Sequence, residues 1–252
     1  MSLNRRYSDY DDFAWVYNRH WGKKFTPIAL AVLEKFVLPR LSRDSRILDL
    51  CCGTGQLAHA LSERGYVVSG IDGSEKMLRF ARKNAPSTRF ILSDARTFKL
   101  PDTFDAVVSM FDSLNHIMTL NELMIVFRNV YNCLKDGGLF LFDMNLEFGY
   151  LTNWQGCYGI VEDDHVCIFP NSYDHQKRVG QIDFTIFRFK RNWWRSDFKL
   201  TQKCYTNEQI HSRLKKTGFA IVEAFSLDKN GKRVRVTRKS KRSFFLCQKL
   251  IS

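Results

Sequence analysis

The chain has 252 residues, of which 44% are hydrophobic and 26% charged, as in a globular protein that buries a full core. No stretch approaches about 20 apolar residues, which excludes a transmembrane helix, and residues 1–7 lack the apolar core of a signal peptide. We therefore expect a cytoplasmic protein, with a formal net charge of +13 that would attract acidic partners.

The N-terminal region predicts two amphipathic helices. Residues 10–21 place Phe13, Val16, Tyr17 and Trp21 at helical spacing on related faces, and a second helix is predicted over residues 25–38. The aromatic side chains either only fix this leader to the core or also contact a ligand. We expect both roles to occur, with Phe13 structural.

The next segment predicts a buried strand that ends in a glycine-containing turn and enters a helix. Residues 45–50 are mostly apolar and free of Gly and Pro, as in a central parallel strand. Gly53 and Gly55 permit a tight turn and the close approach of a ligand. The helix that begins near Gln56 presents unpaired N–H groups to that turn, so this segment is typical of a nucleotide site.

Acidic or polar residues follow each of the next strands. A second strand over residues 67–72 ends at Asp72, whose carboxylate can accept hydrogen bonds from both ribose hydroxyls, and Ser74 is a predicted helix N-cap. A third strand, 88–92, is followed by Asp94, and a fourth, 104–110, by Asp112, a predicted cap. A helix around residues 122–134 leads to a fifth strand over residues 138–143.

The string DLCCGTG, from Asp49 to Gly55, resembles motif I of class I S-adenosylmethionine-dependent methyltransferases, D-x-G-x-G-x-G, with Cys51 in place of the first glycine. A NAD-binding turn would instead need a third glycine where this chain has Ala58. The resemblance covers about residues 10–145. It implies that the protein binds S-adenosyl-L-methionine and releases S-adenosyl-L-homocysteine.

The resemblance also implies roles for individual side chains. Asp94 would meet the adenine amino group, and the leader would cross the mouth of the site, with Tyr17 near the cofactor and Trp21 over the pocket. The implied cofactor site consists of Tyr17, Trp21, Asp49, Cys51, Gly53, Gly55, Asp72, Gly73, Met77, Asp94, Ala95 and Phe111.

The C-terminal part changes from helical to alternating patterns. Residues 145–205 predict a small antiparallel sheet that covers the site, after which Thr206 and Gln209 form a predicted capping box for a helix ending at Gly218. Two last strands are predicted over residues 219–225 and 243–250.

These elements predict an α/β fold with a Rossmann-like seven-stranded methyltransferase sheet, parallel except for an antiparallel terminal strand, and a small antiparallel β insertion. The predicted parts are residues 1–144 (leader and cofactor-binding core), 145–205 (inserted cover) and 206–252 (completion of the core). Monomer and homodimer remain equally open.

The seven cysteines, at positions 51, 52, 133, 157, 167, 204 and 247, show no metal-site spacing. We expect no metal and reduced, mostly buried thiols.

Residues 151–252 carry 20 basic and 9 acidic side chains (+11), and residues 229–242 hold eight of these basic residues and no acid. Such a run favours a solvated loop, although it can also attract phosphate.

The implied reaction needs an acceptor aligned with the donor methyl group and, for some acceptors, a base. His116 follows the fourth strand and is the candidate general base, with local hydrogen bonding as the alternative, while Tyr17 could assist the acceptor. Asp112 and Ser113 are the predicted cap of the helix that follows, and the alternative role of Asp112 is to orient a cationic acceptor. The sequence favours methyl transfer to O or N of a small molecule. The alternatives are an RNA methyltransferase that docks tRNA or rRNA through the basic half, and a non-catalytic cofactor-binding module.

Overall fold

The computed structural model describes residues 9–101 and 103–250 and shows an α/β protein with two separate sheets. Its helices are α1 Asp9–His20, α2 Gly22–Phe36, α3 Gln56–Ser62, α4 Glu75–Asn84, α5 Leu120–Cys133, α6 Glu147–Asn153 and α7 Asn207–Thr217. Its strands are β1 Arg46–Leu50, β2 Val67–Asp72, β3 Arg89–Leu92, β4 Phe104–Ser109, β5 Leu134–Asn145, β6 Gly156–Glu162, β7 His165–Asp174, β8 Val179–Phe189, β9 Trp193–Lys203, β10 Phe219–Leu227, β11 Arg233–Arg235 and β12 Arg242–Lys249.

The main sheet has the strand order β11-β10-β12-β5-β4-β1-β2-β3. Strands β1 to β5 are parallel, whereas β12 is antiparallel to both β5 and β10. Successive side chains of a strand point to opposite faces. Ile47 of β1 accordingly packs with the side chains of α2 and α3, whereas Leu48 packs with those of α5 and α7. The predicted fold class is confirmed.

The sheet has eight strands among the described residues, so the predicted number of seven was wrong. The additional strand, β11, lies inside the basic run and pairs with β10 at the edge of the sheet. Arg233 forms an ion pair with Glu223 at 2.8 Å, which places one charge of the run against the neighbouring strand. Positive charge on an edge strand also opposes pairing with other chains.

The second sheet, β6-β7-β8-β9, is antiparallel and lies in the chain between α6 and α7. Helix α1 packs between this cover sheet and α4, through an apolar cluster that includes Phe13, Met77, Phe184 and Leu200. The rings of Phe13 and Phe184 have centroids 4.7 Å apart. Phe13 therefore joins the leader to the cover.

The predicted caps of α4 and α7 are present. Ser74 accepts from the backbone N–H of Met77, Thr206 and Gln209 form the capping box, and Gly218 has a left-handed conformation at the end of α7. The seven cysteines are free thiols, of which five are buried. Within the described part of the chain, no helix is both long and apolar enough to cross a membrane.

Candidate functional site

A cavity of about 530 Å³ lies at the carboxyl ends of the parallel strands, beneath α1 and the cover sheet. The chain order reverses between β4 and β1, and ligands of open α/β sheets bind at such a switch point. The cavity is lined by twelve of the thirteen predicted site residues, namely Tyr17, Trp21, Asp49, Cys51, Gly53, Asp72, Gly73, Met77, Asp94, Ala95, Phe111 and His116.

Gly55 is the predicted site residue that does not line the cavity. It adopts a left-handed conformation at the start of α3, and a Cβ atom at this position would lie 2.9 Å from the Cα and Cβ of Ala81. Gly55 therefore contacts α4 and not the cavity, where a ligand contact was predicted. Gly55 is needed for the close packing of α3 on that helix.

The turn after β1 explains why the motif has glycine at the position of Cys51. Cys51 has a φ of 61°, a conformation that disfavours a side chain by about 1–2 kcal/mol and that a glycine adopts freely. Gly53 also has a positive φ, and its backbone N–H donates to Asp72 Oδ2 at 2.9 Å. Asp72 therefore holds the turn in place while it lines the cavity.

Asp49 is a buried carboxylate with an unused acceptor. Its Oδ2 atom has no hydrogen-bond partner among the described residues, although the residue lines the cavity. Burial, with repulsion from Asp72 as a second cause, raises the pKa of Asp49 to about 7. A cationic ligand group would satisfy this oxygen, and the α-ammonium of S-adenosylmethionine has the required charge. The cavity thus fits the expected cofactor.

Asp94 follows β3 and is held in place by Arg96. Arg96 donates to both of its carboxylate oxygens, at 3.0 Å from Nε to Oδ1 and 2.7 Å from Nη2 to Oδ2, and also binds Glu122. Carboxylate oxygens have further lone pairs, so Asp94 can still accept a hydrogen bond from a ligand amino group.

Helix α1 is fastened over the motif by polar contacts. Asn18 Oδ1 accepts from Gln56 Nε2 at 2.8 Å and from Asn84 Nδ2 at 2.7 Å, and Asp11 accepts from the Ser74 hydroxyl. These contacts keep Tyr17 beside Gly53, where it lines the cavity. Trp21 also lines it, as sequence reasoning predicted.

His116 is buried at the start of the loop beyond β4 and is hydrogen-bonded on both ring nitrogens. Its Nδ1 lies 2.8 Å from the carbonyl oxygen of Thr201, which only accepts, so Nδ1 carries the proton. Its Nε2 therefore accepts, from the Tyr10 hydroxyl at 2.6 Å and from Gln202 Nε2 at 3.1 Å. Burial lowers the pKa of His116, which keeps the ring neutral at neutral pH.

Tyr10 and Gln202 are site residues that sequence reasoning missed. Tyr10 precedes Phe13 and Tyr17 at helical spacing, which was an available signal. Gln202 lies in a strand of the cover, and its side chain accepts from Tyr150 and Asn145 while it donates to Asp112 and His116. Nothing in the local sequence marks this residue.

A partly buried ion cluster closes the site on the side of β4 and β5. Arg242, the first residue of β12, donates to Asp112 and to Asp143. Burial acts to raise the pKa of Asp112, but attraction by Arg242 and the hydrogen bonds from Gln202 and Arg242 together outweigh it, and the pKa lies below its ordinary value. Burial raises the pKa of Asp143, against the opposing effect of Arg242. Asp112 makes no side-chain cap, so the predicted capping role was wrong.

The same cluster supports a strained turn. Phe111 and Asp112 have positive φ values of 64° and 51°, which cost about 1 kcal/mol or more at non-glycine residues. The backbone N–H of Asp112 donates to Asp143 Oδ2 at 3.0 Å, and Phe111 stacks on Phe25. Asp143 is one of the residues that line the cavity, and its Oδ1 is buried without a hydrogen-bond partner among the described residues.

Replacing Arg242 with Gln should lower the free energy of unfolding by about 2–3 kcal/mol, because two carboxylates then face each other without a cation. Chemical denaturation measures this loss. The matched control is Arg238→Gln in the same basic run, an exposed arginine, for which we expect a change of less than about 0.5 kcal/mol. Equal effects of the two substitutions would show that the cluster does not stabilise the fold.

Comparison with known proteins identifies the family. Residues 47–138 match a family model described as a methyltransferase domain. One relative, YqeM of Bacillus subtilis (strain 168), is named as a methyltransferase. It is 32% identical over 193 residues, which are 74% of this chain and 78% of YqeM. A dTDP-3-amino-3,4,6-trideoxy-alpha-D-glucopyranose N,N-dimethyltransferase of Streptomyces venezuelae is 36% identical over 132 residues, 51% of this chain and 55% of that protein.

Solved structures show the same fold over nearly the whole chain. An S-adenosylmethionine-dependent methyltransferase from Clostridium acetobutylicum ATCC 824 superposes with a TM-score of 0.77 at 23% identity, covering 96% of this chain and 99% of that one. The amino pentose methyltransferase CalS10 from Micromonospora echinaspora, solved with S-adenosylmethionine bound, gives a TM-score of 0.69 at 19% identity, covering 99% and 100%. With this fold, motif and relatives, the chain belongs to the class I S-adenosylmethionine-dependent methyltransferases.

Proposed function

We propose that this methyltransferase transfers the methyl group to an amino nitrogen of a small molecule. The observation that carries the proposal is the unpartnered Oδ1 of Asp143, a buried carboxylate oxygen of a residue that lines the cavity. The lining contains five aspartates and one arginine, so its formal charge is −4 (1 − 5). An acceptor that arrives as an ammonium satisfies this oxygen, whereas a neutral hydroxyl leaves the negative charge uncompensated.

The names of similar proteins support an amine acceptor. The relative from Streptomyces venezuelae is named as an N,N-dimethyltransferase of an amino sugar, and CalS10 as an amino pentose methyltransferase. A cavity of about 530 Å³ falls in the size range of small-molecule sites and is roofed by α1 and the cover sheet. Such a roof favours a compact acceptor.

Three of the five aspartates that line the cavity would bind the methyl donor, and two would bind the methyl acceptor. Asp49 would bind the α-ammonium of the donor, Asp72 its ribose hydroxyls and Asp94 its adenine amino group. When bound, S-adenosylmethionine supplies a methyl group on a positively charged sulfur, which a nitrogen lone pair can attack without a metal or a covalent enzyme intermediate. Asp112 and Asp143, at the ends of β4 and β5, remain for the acceptor.

An ammonium has no lone pair, so one proton must leave the acceptor nitrogen before the C–N bond forms. Tyr10 lines the cavity, and its hydroxyl donates to the neutral Nε2 of His116. The phenol oxygen accepts the ammonium proton while the phenol proton moves to His116. Burial keeps the pKa of Tyr10 well above its ordinary value, so Tyr10 acts as a neutral relay. Asp112 stabilises the imidazolium that results.

A pair of acceptors that differ in one group tests the proposal. The probes are an amino sugar nucleotide and its counterpart with a hydroxyl at the same carbon, each incubated with the protein and S-adenosylmethionine. We expect methylation of the amine at least about 100-fold faster, measured as the mass increase of the acceptor. Faster methylation of the hydroxyl compound would overturn the assignment to nitrogen.

Replacing His116 with Ala should lower kcat at least about 100-fold and change the Kd of S-adenosylmethionine less than about twofold, because the ring acts on the acceptor proton. Steady-state kinetics and isothermal titration separate the two quantities. The control is His59→Ala, an exposed histidine of α3. Equal loss of turnover and cofactor affinity would mean that His116 only shapes the cavity.

Binding of S-adenosylhomocysteine should weaken as the pH falls below 7. The pKa of Asp49 is raised to about 7 and that of Asp72 to about 6, so in the free protein both carboxyls take up protons over this window. A cationic α-ammonium favours the ionised form of Asp49 and must displace its proton, which costs up to about tenfold in affinity per pH unit. Isothermal titration between about pH 8 and pH 6 measures this dependence.

The Asp49→Asn variant is the control for this pH dependence. It cannot ionise, so we expect weaker binding at pH 8 and a shallower pH dependence near pH 7 than in the unmodified protein. An identical slope in both proteins would show that Asp49 does not bind the ammonium.

A further inference from the structure

A second cavity of about 480 Å³ lies on the other side of α1 and is separate from the catalytic one. The helix presents Tyr10 and Tyr17 to the catalytic cavity, and Ala14 and Trp15 to the second. The opposite walls are formed by α4 and by the hairpin of β8 and β9. We refer to this cavity as the α1–β9 groove.

The groove carries unpaired positive charge. Five cationic and two acidic side chains line it, giving a formal charge of +3 (5 − 2). The two acids are already occupied: Asp11 accepts from the Ser74 hydroxyl, and Asp12 pairs with Lys76 at 2.9 Å.

Three of the cations, Lys83, Arg188 and Lys190, have no carboxylate within ion-pair distance in the part of the chain that the structure describes. An anion is the complementary ligand for such a cluster.

The groove also offers flat aromatic surfaces. The guanidinium of Arg188 lies 3.8 Å from the centroid of the Trp15 ring, and the side chain of Phe80 contributes to the α4 wall. Trp194 pairs with Arg188 in the strand register, belongs to the lining and is 65% exposed. A large aromatic side chain with this exposure gains contact area when a planar ligand stacks on it.

We propose that the α1–β9 groove binds a nucleoside phosphate, with its base stacked on Trp194 and its phosphate paired with Lys83, Arg188 and Lys190. Inorganic phosphate would leave the tryptophan uncovered, and an apolar ligand would leave the three cations unpaired. A nucleotide carries both complementary features in one small molecule. The source is either a free nucleotide or a residue of single-stranded RNA, since both present the same chemistry.

Neighbouring tryptophans provide a matched pair of variants. Trp193 is 54% exposed but packs against Phe189 and does not line the groove, because successive strand residues point to opposite faces. Uridine 5′-monophosphate and octauridylate serve as probes, each titrated into the full-length protein saturated with S-adenosylhomocysteine. We expect Trp194→Ala to weaken binding at least about fivefold and Trp193→Ala less than about twofold.

The phosphate contact has its own variant. Lys83→Ala should weaken binding of both probes and reduce the salt dependence of the affinity, whereas Lys232→Ala in the exposed basic run should change neither. Octauridylate binding at least about tenfold tighter than uridine 5′-monophosphate would assign the groove to RNA, and similar affinities would assign it to free nucleotides.

Two results would overturn the proposal. One is the absence of binding of both probes at about 1 mM, and the other is equal loss of affinity in the Trp193→Ala and Trp194→Ala variants. Thermal unfolding of both variants establishes that they fold, since each substitution is at an exposed position.

Discussion

Arg242 lies between the carboxylates of Asp112 and Asp143 and joins three neighbouring strands at the edge where the cavity opens. The contact depends on the direction of β12. Because this strand is antiparallel to β5, its first residue, Arg242, pairs with Asn145 at the carboxyl end of β5. A parallel β12 would place its first residue at the opposite edge of the sheet. Strand β12, which is antiparallel to β5, thus supplies the cation that pairs with the two carboxylates at this edge of the sheet.

Polar contacts extend from this cation to the roof of the cavity. Asp112 accepts from Gln202 of the cover sheet, Gln202 also donates to His116, and His116 accepts from Tyr10 of the leader. Buried polar networks of this kind specify one arrangement, because a displaced member leaves its partners unsatisfied. The leader and the cover are therefore positioned relative to the carboxylates of Asp112 and Asp143 by directional bonds, in addition to the apolar cluster around Phe13.

Some helix caps and turns of this fold could be predicted from the sequence because they form between residues that are close together in the chain. The helix cap at Ser74, the capping box at Thr206 and the tight turn around Gly53 depend on residues a few positions apart. Arg242 could not be assigned, because it ends a run of basic residues that are otherwise exposed and its two partners lie 130 and 99 positions earlier. The burial of one charge in such a run depends on strand order and direction, which no local pattern encodes.

The net charge of the chain and the charge of its site have opposite signs. The protein carries +13 overall, whereas the cavity lining carries −4 and the α1–β9 groove +3. Surface charges are screened over about 8 Å at physiological ionic strength, so a ligand inside the cavity responds mainly to the carboxylates around it. A cationic donor and an ammonium acceptor are thus compatible with a basic protein. The composition therefore says little about the substrate, and the residues that line the cavity decide the sign of the charge that binds there.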